Sequence, residues 1–355
     1  MADSERIKTY FQDLGYQETD NWKKATTVII NTCIIRESAE NRAYGLINNV
    51  VQLNKTKQEP VKIIVTGCLA GVAHEDKTGK KLAELKRRLP EVDEFMPIKA
   101  ISFELDPLRD KKKAALISIS TGCNNHCTFC IVPFSRGREI SRPMENVLAE
   151  VDRVIKEGFT EVVLVGQNVN SYGAELTADT YVSMGKKRFK SLFPELLEKV
   201  AQKQLTKISF VSSNPWDFSD ELIEVIAKYP NIDRLLHLPF QAGDDEILKR
   251  MNRSYTQKEY IALVNKIKSK VKDAKFSTDI IIGFPGETEA AFEQTVGVCK
   301  EVGFAVAYLN KYSPRSGTVS AKLYKDDVPT KEKKRRWVLL NELVNKKGVE
   351  VTSNT

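Results

Sequence analysis

"AALISISTGCNNHCTFC", residues 114–130, is a short apolar run that ends in three cysteines. Ala114–Ser120 alternates apolar and small residues as a strand does, and Cys123, Cys127 and Cys130 follow at C-x3-C-x2-C spacing. Three thiols are one too many for a disulfide and one too few for a closed zinc site. A strand that delivers such a trio at its carboxyl end places it where parallel α/β folds bind ligands.

Downstream of this run the pattern is strand, helix, strand, helix. Five further runs follow: "EVVLVG" (161–166), "KISFVS" (207–212), "LLHLPF" (235–240), "STDIIIG" (277–283) and "AVAYLN" (305–310). Between them the period is helical. Val147, Leu148, Val151, Val154 and Ile155 share one face over 144–157, and Tyr260, Leu263, Val264 and Ile267 share another over 256–272. Six strands alternating with helices predict a parallel sheet, open or curled into a partial barrel.

Upstream lies a smaller α/β unit over 1–97. Ile7, Tyr10, Phe11 and Leu14 predict a helix, followed by strand 26–33, helix 37–53, strand 61–68, a helix near 80–89 and a short strand at 92–97. A layer of this kind ordinarily opens on a strand, and here it opens on a helix. Residues 98–113, with the charged "RDKKK", read as a linker, and 114–325 as the larger domain. The stretch 326–355 reads as a basic helix or linker carrying "KEKKRR" at 331–336.

Composition fits an ordinary globular chain of 355 residues, 41% hydrophobic and 29% charged. No signal peptide or membrane-length apolar run is legible, so a cytoplasmic setting is expected, where clustered cysteines serve metals or redox chemistry. The net charge of +8 suits a polyanionic partner. Cys33 and Cys68 each read as ending an apolar strand, in "NTC" and "TGC", and so as two thiols near one crevice. Cys299 shares a helical face with Phe292, Val296 and Val302 and reads as core. For the trio, an iron–sulfur cluster with one open iron is favoured over zinc with His126 as fourth ligand, because His126 lies inside the C-x3-C pair. "GFPGET" (283–288) lacks P-loop spacing and reads as a tight turn before a helix.

The spacing at the first strand of a six-fold β/α chain resembles the radical S-adenosylmethionine (SAM) superfamily. "GCNNHCTFCIVPFSRGREISRP" (122–143) resembles the MiaB-type tRNA methylthiotransferases within it. So do "NTCIIRESAENRAYG", "VTGC", "VGQNVNSYG", "SSNPWDFSDELIE", "HLPFQAGDDEILKRMNRSYT", "DIIIGFPGETE" and "YSPRSGT".

The resemblance implies a Rossmann-like N-terminal sheet domain followed by a six-stranded (β/α)6 partial TIM barrel. It implies a [4Fe–4S] cluster on Cys123, Cys127 and Cys130, with SAM on the open iron. It places Phe129 beside the adenine, Gly166, Gln167 and Asn168 at the methionine end, and Gln241 as a further SAM contact. It implies a second, auxiliary [4Fe–4S] cluster, for which Cys33 and Cys68 match two of three ligands. It also implies a chain truncated at both ends, lacking a first strand with its cysteine and a C-terminal TRAM domain. The implied reaction is methylthiolation of carbon 2 of isopentenylated adenosine beside the tRNA anticodon. The implied partners are the tRNA anticodon stem-loop and a flavodoxin or ferredoxin electron donor, with the enzyme a monomer and no membrane involved. The alternatives are siblings acting on threonylcarbamoyl-adenosine or a ribosomal protein and, outside catalysis, a zinc-stabilised RNA-binding module.

Overall fold

A computed structural model describes residues 2–34, 37–101, 105–109 and 114–346. By packing, the chain divides into two compact units. One comprises 1–112 with 121–125 and 130–139; the other comprises 113–120, 126–129 and 140 onward.

The smaller unit is built on three parallel strands, Thr27–Thr32, Lys62–Gly67 and Glu94–Phe95, in that spatial order. Thr27 pairs with Lys62 and the register runs unbroken to Thr32 and Gly67. The central strand is buried on both faces, as a parallel strand between helices must be. Ile63 and Val65 join Ile47, Val50, Ala70 and Leu85 on one side, whereas Ile64 meets Ile7, Phe11, Met96 and Ile98 on the other. The opening helix is Ala2–Asp13. Leu14, read as part of its apolar stripe, lies beyond its end and is exposed, because Gly15 at φ 87° stops the helix.

Two boundaries differ from the sequence reading. Ile98 and Ile101, placed in the linker, pack into the smaller unit's core. Residues 102–104 and 110–113 of that linker lie outside the described residues. Cys68 does not end a strand. It is the first residue of a helix, Cys68–Glu75, that the sequence reading left unassigned. Gly67, at φ 82°, makes the turn, and a Cβ there would stand 2.4 Å from the Thr32 carbonyl oxygen. The chain therefore swings directly from strand into helix with no loop to signal it.

The larger unit contains all six expected strands: Ala114–Ser118, Glu161–Val165, Lys207–Phe210, Leu235–His237, Lys275–Ile282 and Val306–Lys311. They form two three-stranded parallel ladders in chain order. An isolated parallel bridge, Ile208 to Ile232, joins the third strand to the approach of the fourth. Sequential order throughout is that of a partial barrel. The helices Met144–Lys156, Phe193–Ala201, Asp220–Lys228, Gln257–Lys270 and Glu289–Val302 bury their apolar faces in one core. Five helices of this unit begin on side-chain caps, from Ser219, Asp244, Thr256, Thr288 and Thr318, and Thr256 with Glu259 forms a complete capping box. Cys299 is buried in that core, as expected, and burial pushes its thiol up to about 12.

Of the two expectations for the stretch after 325, helix or linker, the described residues form the helix. The helix Thr330–Leu340 and the turn Asn341–Asn345 lie on the sixth strand. The Asn345 side chain accepts from Ala307 N and donates to Ala307 O, both at 3.0 Å, and so pairs the strand's open edge. Residues 347–355 of the expected tail lie outside the described residues. A hairpin over Thr180–Phe189, turning at Met184 and Gly185, also escaped the sequence reading.

Candidate cluster and cofactor site

The cysteine loop is shaped first by a glycine. Gly122 sits at φ 78°, and a Cβ on it would meet the Arg138 carbonyl oxygen at 2.0 Å. Only glycine lets the chain pass there. The next amide, Cys123 N, donates to Gly137 O at 3.2 Å, and Glu139 N donates to Asn124 Oδ1 at 3.2 Å. Asn125 N points at Cys123 Sγ, 3.4 Å away, as amides do toward thiolate ligands. The buried Asn125 Nδ2 has no hydrogen-bond partner.

Residues 126–129 are held within the larger unit. Thr128 N donates to Met251 O at 3.0 Å and its Oγ1 to Arg250 O at 2.8 Å. Asn252 Nδ2 donates to the His126 carbonyl at 2.8 Å, while the His126 ring is exposed. Arg253 is buried and donates through Nη1 to Cys127 Sγ at 3.4 Å. The same guanidinium donates to Asn214 Oδ1 at 3.1 Å and Pro239 O at 3.0 Å, and lies 4.5 Å over the Trp216 ring. Burial works against its charge, yet Tyr255 and Cys127 beside it keep its pKa above the ordinary value. A fixed cation therefore stands against Cys127 Sγ.

At the ends of the first two strands, a Cβ on Gly166 would come within 2.6 Å of Ser120 Oγ. That buried Ser120 Oγ has no hydrogen-bond partner. Gln167 stands half-buried beyond it and Phe129 half-buried against the barrel core. Gln241 holds φ 69°, strained for a residue with a side chain, and its buried Oε1 is unsatisfied. Strain and an orphaned acceptor together mark a position kept for a ligand.

Asn168 follows Gln167 with its side chain engaged by protein partners. It is buried, its Nδ2 donates to Asp217 Oδ2 at 2.9 Å, and its Oδ1 accepts from Asn214 Nδ2 at 2.8 Å. Asn170 closes the network by donating to Asn214 O and accepting from Asn214 N, both at 2.8 Å. Burial pushes the Asp217 carboxyl up to about 6, against the pull of Asn168 and of Arg188 and Arg253. Asn168 thus shapes the strand end from beneath. The sequence reading missed Arg253, Asn214, Asp217 and Ser120 as parts of the site. "SSNPWDF" and "MNRSYT" carried three of them, but nothing in their spacing gave roles.

In the smaller unit, Cys33 and Cys68 each follow the last paired residues, Thr32 and Gly67, of adjoining parallel strands. Cys33 is exposed and Cys68 buried. Arg136 is ion-paired with Asp3 at 2.5 Å; burial works against its charge, yet Asp3 and Cys68 beside it keep its pKa above the ordinary value. Cys68 packs with Ile34 and Ile131, the residue after Cys130. None of the six cysteines is in a disulfide. Among the described residues no three His, Cys, Asp or Glu side chains converge as they stand into a group that grips an ion. The fit to a cluster rests on the donor set, its cations and the unsatisfied atoms around it.

Residues 117–299 match the family model of the radical SAM superfamily, and residues 1–92 match that of uncharacterized protein family UPF0004. A curated protein of Halalkalibacterium halodurans named tRNA-2-methylthio-N(6)-dimethylallyladenosine synthase is 38% identical over 97% of this chain, which spans 66% of that protein. Proteins of the same name from Finegoldia magna and Thermotoga petrophila are 37% and 38% identical, with 74% and 78% of their lengths spanned. Among solved structures, the radical SAM methyltransferase TsrM of Kitasatospora setae superposes with a TM-score of 0.59 at 13% identity, over 90% of this chain and 73% of its own. At that identity the likeness speaks for the fold.

Proposed function

This chain belongs to the radical SAM superfamily and, within it, to the family of the tRNA-2-methylthio-N(6)-dimethylallyladenosine synthases, and we propose that it adds a methylthio group to carbon 2 of isopentenylated adenosine beside the tRNA anticodon. The observation that carries this reading is the set of relatives sharing that name, 37–38% identical over 94–98% of this chain. They favour it over the sibling methylthiotransferases and over a zinc-stabilised module.

In this reading Cys123, Cys127 and Cys130 hold a [4Fe–4S] cluster, and Cys33 and Cys68 contribute to a second. Together with SAM, the cluster supplies the one-electron chemistry that an unactivated C–H bond requires and that no side-chain acid or base provides. The protein's own part is to orient and shield. Arg253 donates a hydrogen bond to Cys127 Sγ and so orients it. The Asn125 amide faces Cys123 Sγ, and the unsatisfied Ser120 Oγ and Gln241 Oε1 offer polar anchors for SAM. Gln167 and Phe129 complete that wall, and Asn168 holds it in place. The partners are a tRNA anticodon stem-loop and a low-potential flavodoxin or ferredoxin. Among the described residues no helix is long and apolar enough to cross a membrane.

The test is anaerobic reconstitution followed by iron and sulfide analysis, SAM cleavage and mass spectrometry of tRNA nucleosides. Iron with acid-labile sulfide and a methylthio adduct on isopentenylated tRNA are expected. Changing Cys123, Cys127 and Cys130 together to Ala removes SAM cleavage. Stoichiometric zinc without iron, or cleavage undiminished in the triple variant, defeats the reading.

A further inference from the structure

The inner face of the barrel's fourth to sixth strands carries a polar constellation that the cluster and SAM assignments do not use. Along Lys275–Ile282, Phe276, Ile280 and Ile282 point into the core beneath the helices, so Ser277 and Asp279 point the other way. His237 pairs in register with Ser277, and Tyr308 with Asp279, which puts all four on that inner face. His237 is clamped at both nitrogens, with Nδ1 3.1 Å from Ser277 Oγ and Nε2 3.1 Å from Asp279 Oδ2. The Tyr308 ring meets the His237 ring edge-on at 5.8 Å between centroids.

This face is not packed shut. Small barrels fill their interiors with side chains, yet Tyr308 is 47% exposed here, Leu235 41% and Val211 37%. Leu235 lies two residues before His237, and Val211 continues the same alternation on the third strand. The face is therefore open, flanked by apolar side chains, and has one carboxylate at its middle. The His237 contact occupies Asp279 Oδ2 and leaves Oδ1 to accept a hydrogen bond. Asp279 also supplies its carbonyl to the Gln241 amide at 2.9 Å, which sets the constellation beside the strained glutamine assigned to SAM.

We propose that Asp279, held by His237, and the exposed ring of Tyr308 form the subsite that positions the substrate base, an adenine with an apolar substituent on N6. This deepens the methylthiotransferase reading and rests on it for the identity of the base. An N6-alkylated adenine keeps a single N6–H, which Asp279 Oδ1 accepts. Its π-face stacks on Tyr308, as bases do on exposed aromatic side chains. Its alkyl group lies along Leu235 and Val211. His237 is a positioning residue that fixes the carboxylate.

The chain has three histidines, His74, His126 and His237, so the ring signals of His237 are assignable by substitution. Titrating the full chain with the nucleoside N6-isopentenyladenosine should move the His237 signals saturably and leave those of His74 unmoved. Asp279→Asn and Tyr308→Ala should each weaken this binding about tenfold. Tyr308→Phe, which keeps the ring, should bind as the wild type does. Tyr308 is exposed enough for its variants to fold, and circular dichroism checks each one. In turnover with isopentenylated tRNA, Asp279→Asn should raise the deoxyadenosine formed per methylthio product about tenfold. An unmoved His237, undetectable binding, or wild-type affinity in both Asp279→Asn and Tyr308→Ala overturns the proposal, even if the wild type methylthiolates tRNA. Saturable binding at His237, lost in those variants, upholds it even if methylthiolation fails, and the function reading alone then falls.

Discussion

Asp217 shows how far a residue's surroundings override its type. "NPWD" announces only a turn, yet the fold buries this carboxylate among Asn168, Trp216 and two arginines, and burial wins, lifting its pKa from 3.8 to about 6. A carboxyl raised in the folded state binds its proton more tightly there than when unfolded. Its contribution to stability is therefore full below 3.8 and is lost as pH rises through about 6. We expect Asp217→Asn, which keeps the bond from Asn168, to gain on the wild type across that window. Melting temperatures of both proteins from pH 4 to 7 decide it, and a constant difference would count against the buried carboxyl. Arg253 makes the converse point. It is one arginine among the chain's 55 basic residues, and only its burial against Cys127 and Trp216 distinguishes it from a solvated one.

At the scale of elements, periodicity located the six barrel strands and the helices between them because each buries one face. It failed where an element begins without a loop. The helix at Cys68 follows its strand through Gly67 alone, and the decisive contact, with the Thr32 carbonyl, comes from a strand 35 positions earlier. Gly67→Ala should combine left-handed strain with a backbone clash and cost more than about 2 kcal/mol. Gly15→Ala is the comparison, since Gly15 has a similar φ of 87° but nothing within 4 Å of an added Cβ. It should lose about 1 kcal/mol at most. Hydrogen exchange over 27–32 and 62–75 should report the difference, and equal losses in both variants would mean that the contact with Thr32 is immaterial.

For the molecule as a whole, the basic run "KEKKRR" changes meaning. As sequence it reads as part of a basic helix or linker in a chain whose net charge suits a polyanionic partner. In the structure Lys333 and Arg336 are buried, Lys333 paired with Asp326 at 2.6 Å and Arg336 with Glu287 at 2.8 Å. Arg335 is matched by Glu289 and Glu332, both at 2.6 Å. The run staples the terminal helix to the barrel. Arg336→Ala leaves Glu287 buried without its partner and should cost about 3–5 kcal/mol in chemical denaturation. Lys331→Ala, on the exposed side, should stay within about 0.5 kcal/mol. The net charge of +8 remains, so binding of an anticodon stem-loop should still weaken steeply between about 50 and 200 mM salt. Fluorescence anisotropy measures it, and a flat salt profile would remove RNA from the account.

By itself the sequence determined the barrel's six strands, the core faces of its helices and the cysteine set, because these follow from local alternation and from residues near one another in the chain. It determined the family too, since the motifs lie in order along one line. Tertiary structure alone decided which polar residues are spent and which remain available. Asn168 is consumed by Asn214 and Asp217, 46 and 49 positions away, whereas Ser120 Oγ and Gln241 Oε1 stay unsatisfied. The same holds for His237 and Asp279, 42 residues apart, which meet at 3.1 Å. Hydrogen bonding is decided by who arrives at a site, and strand pairing across the barrel brings together side chains that no sequence window contains.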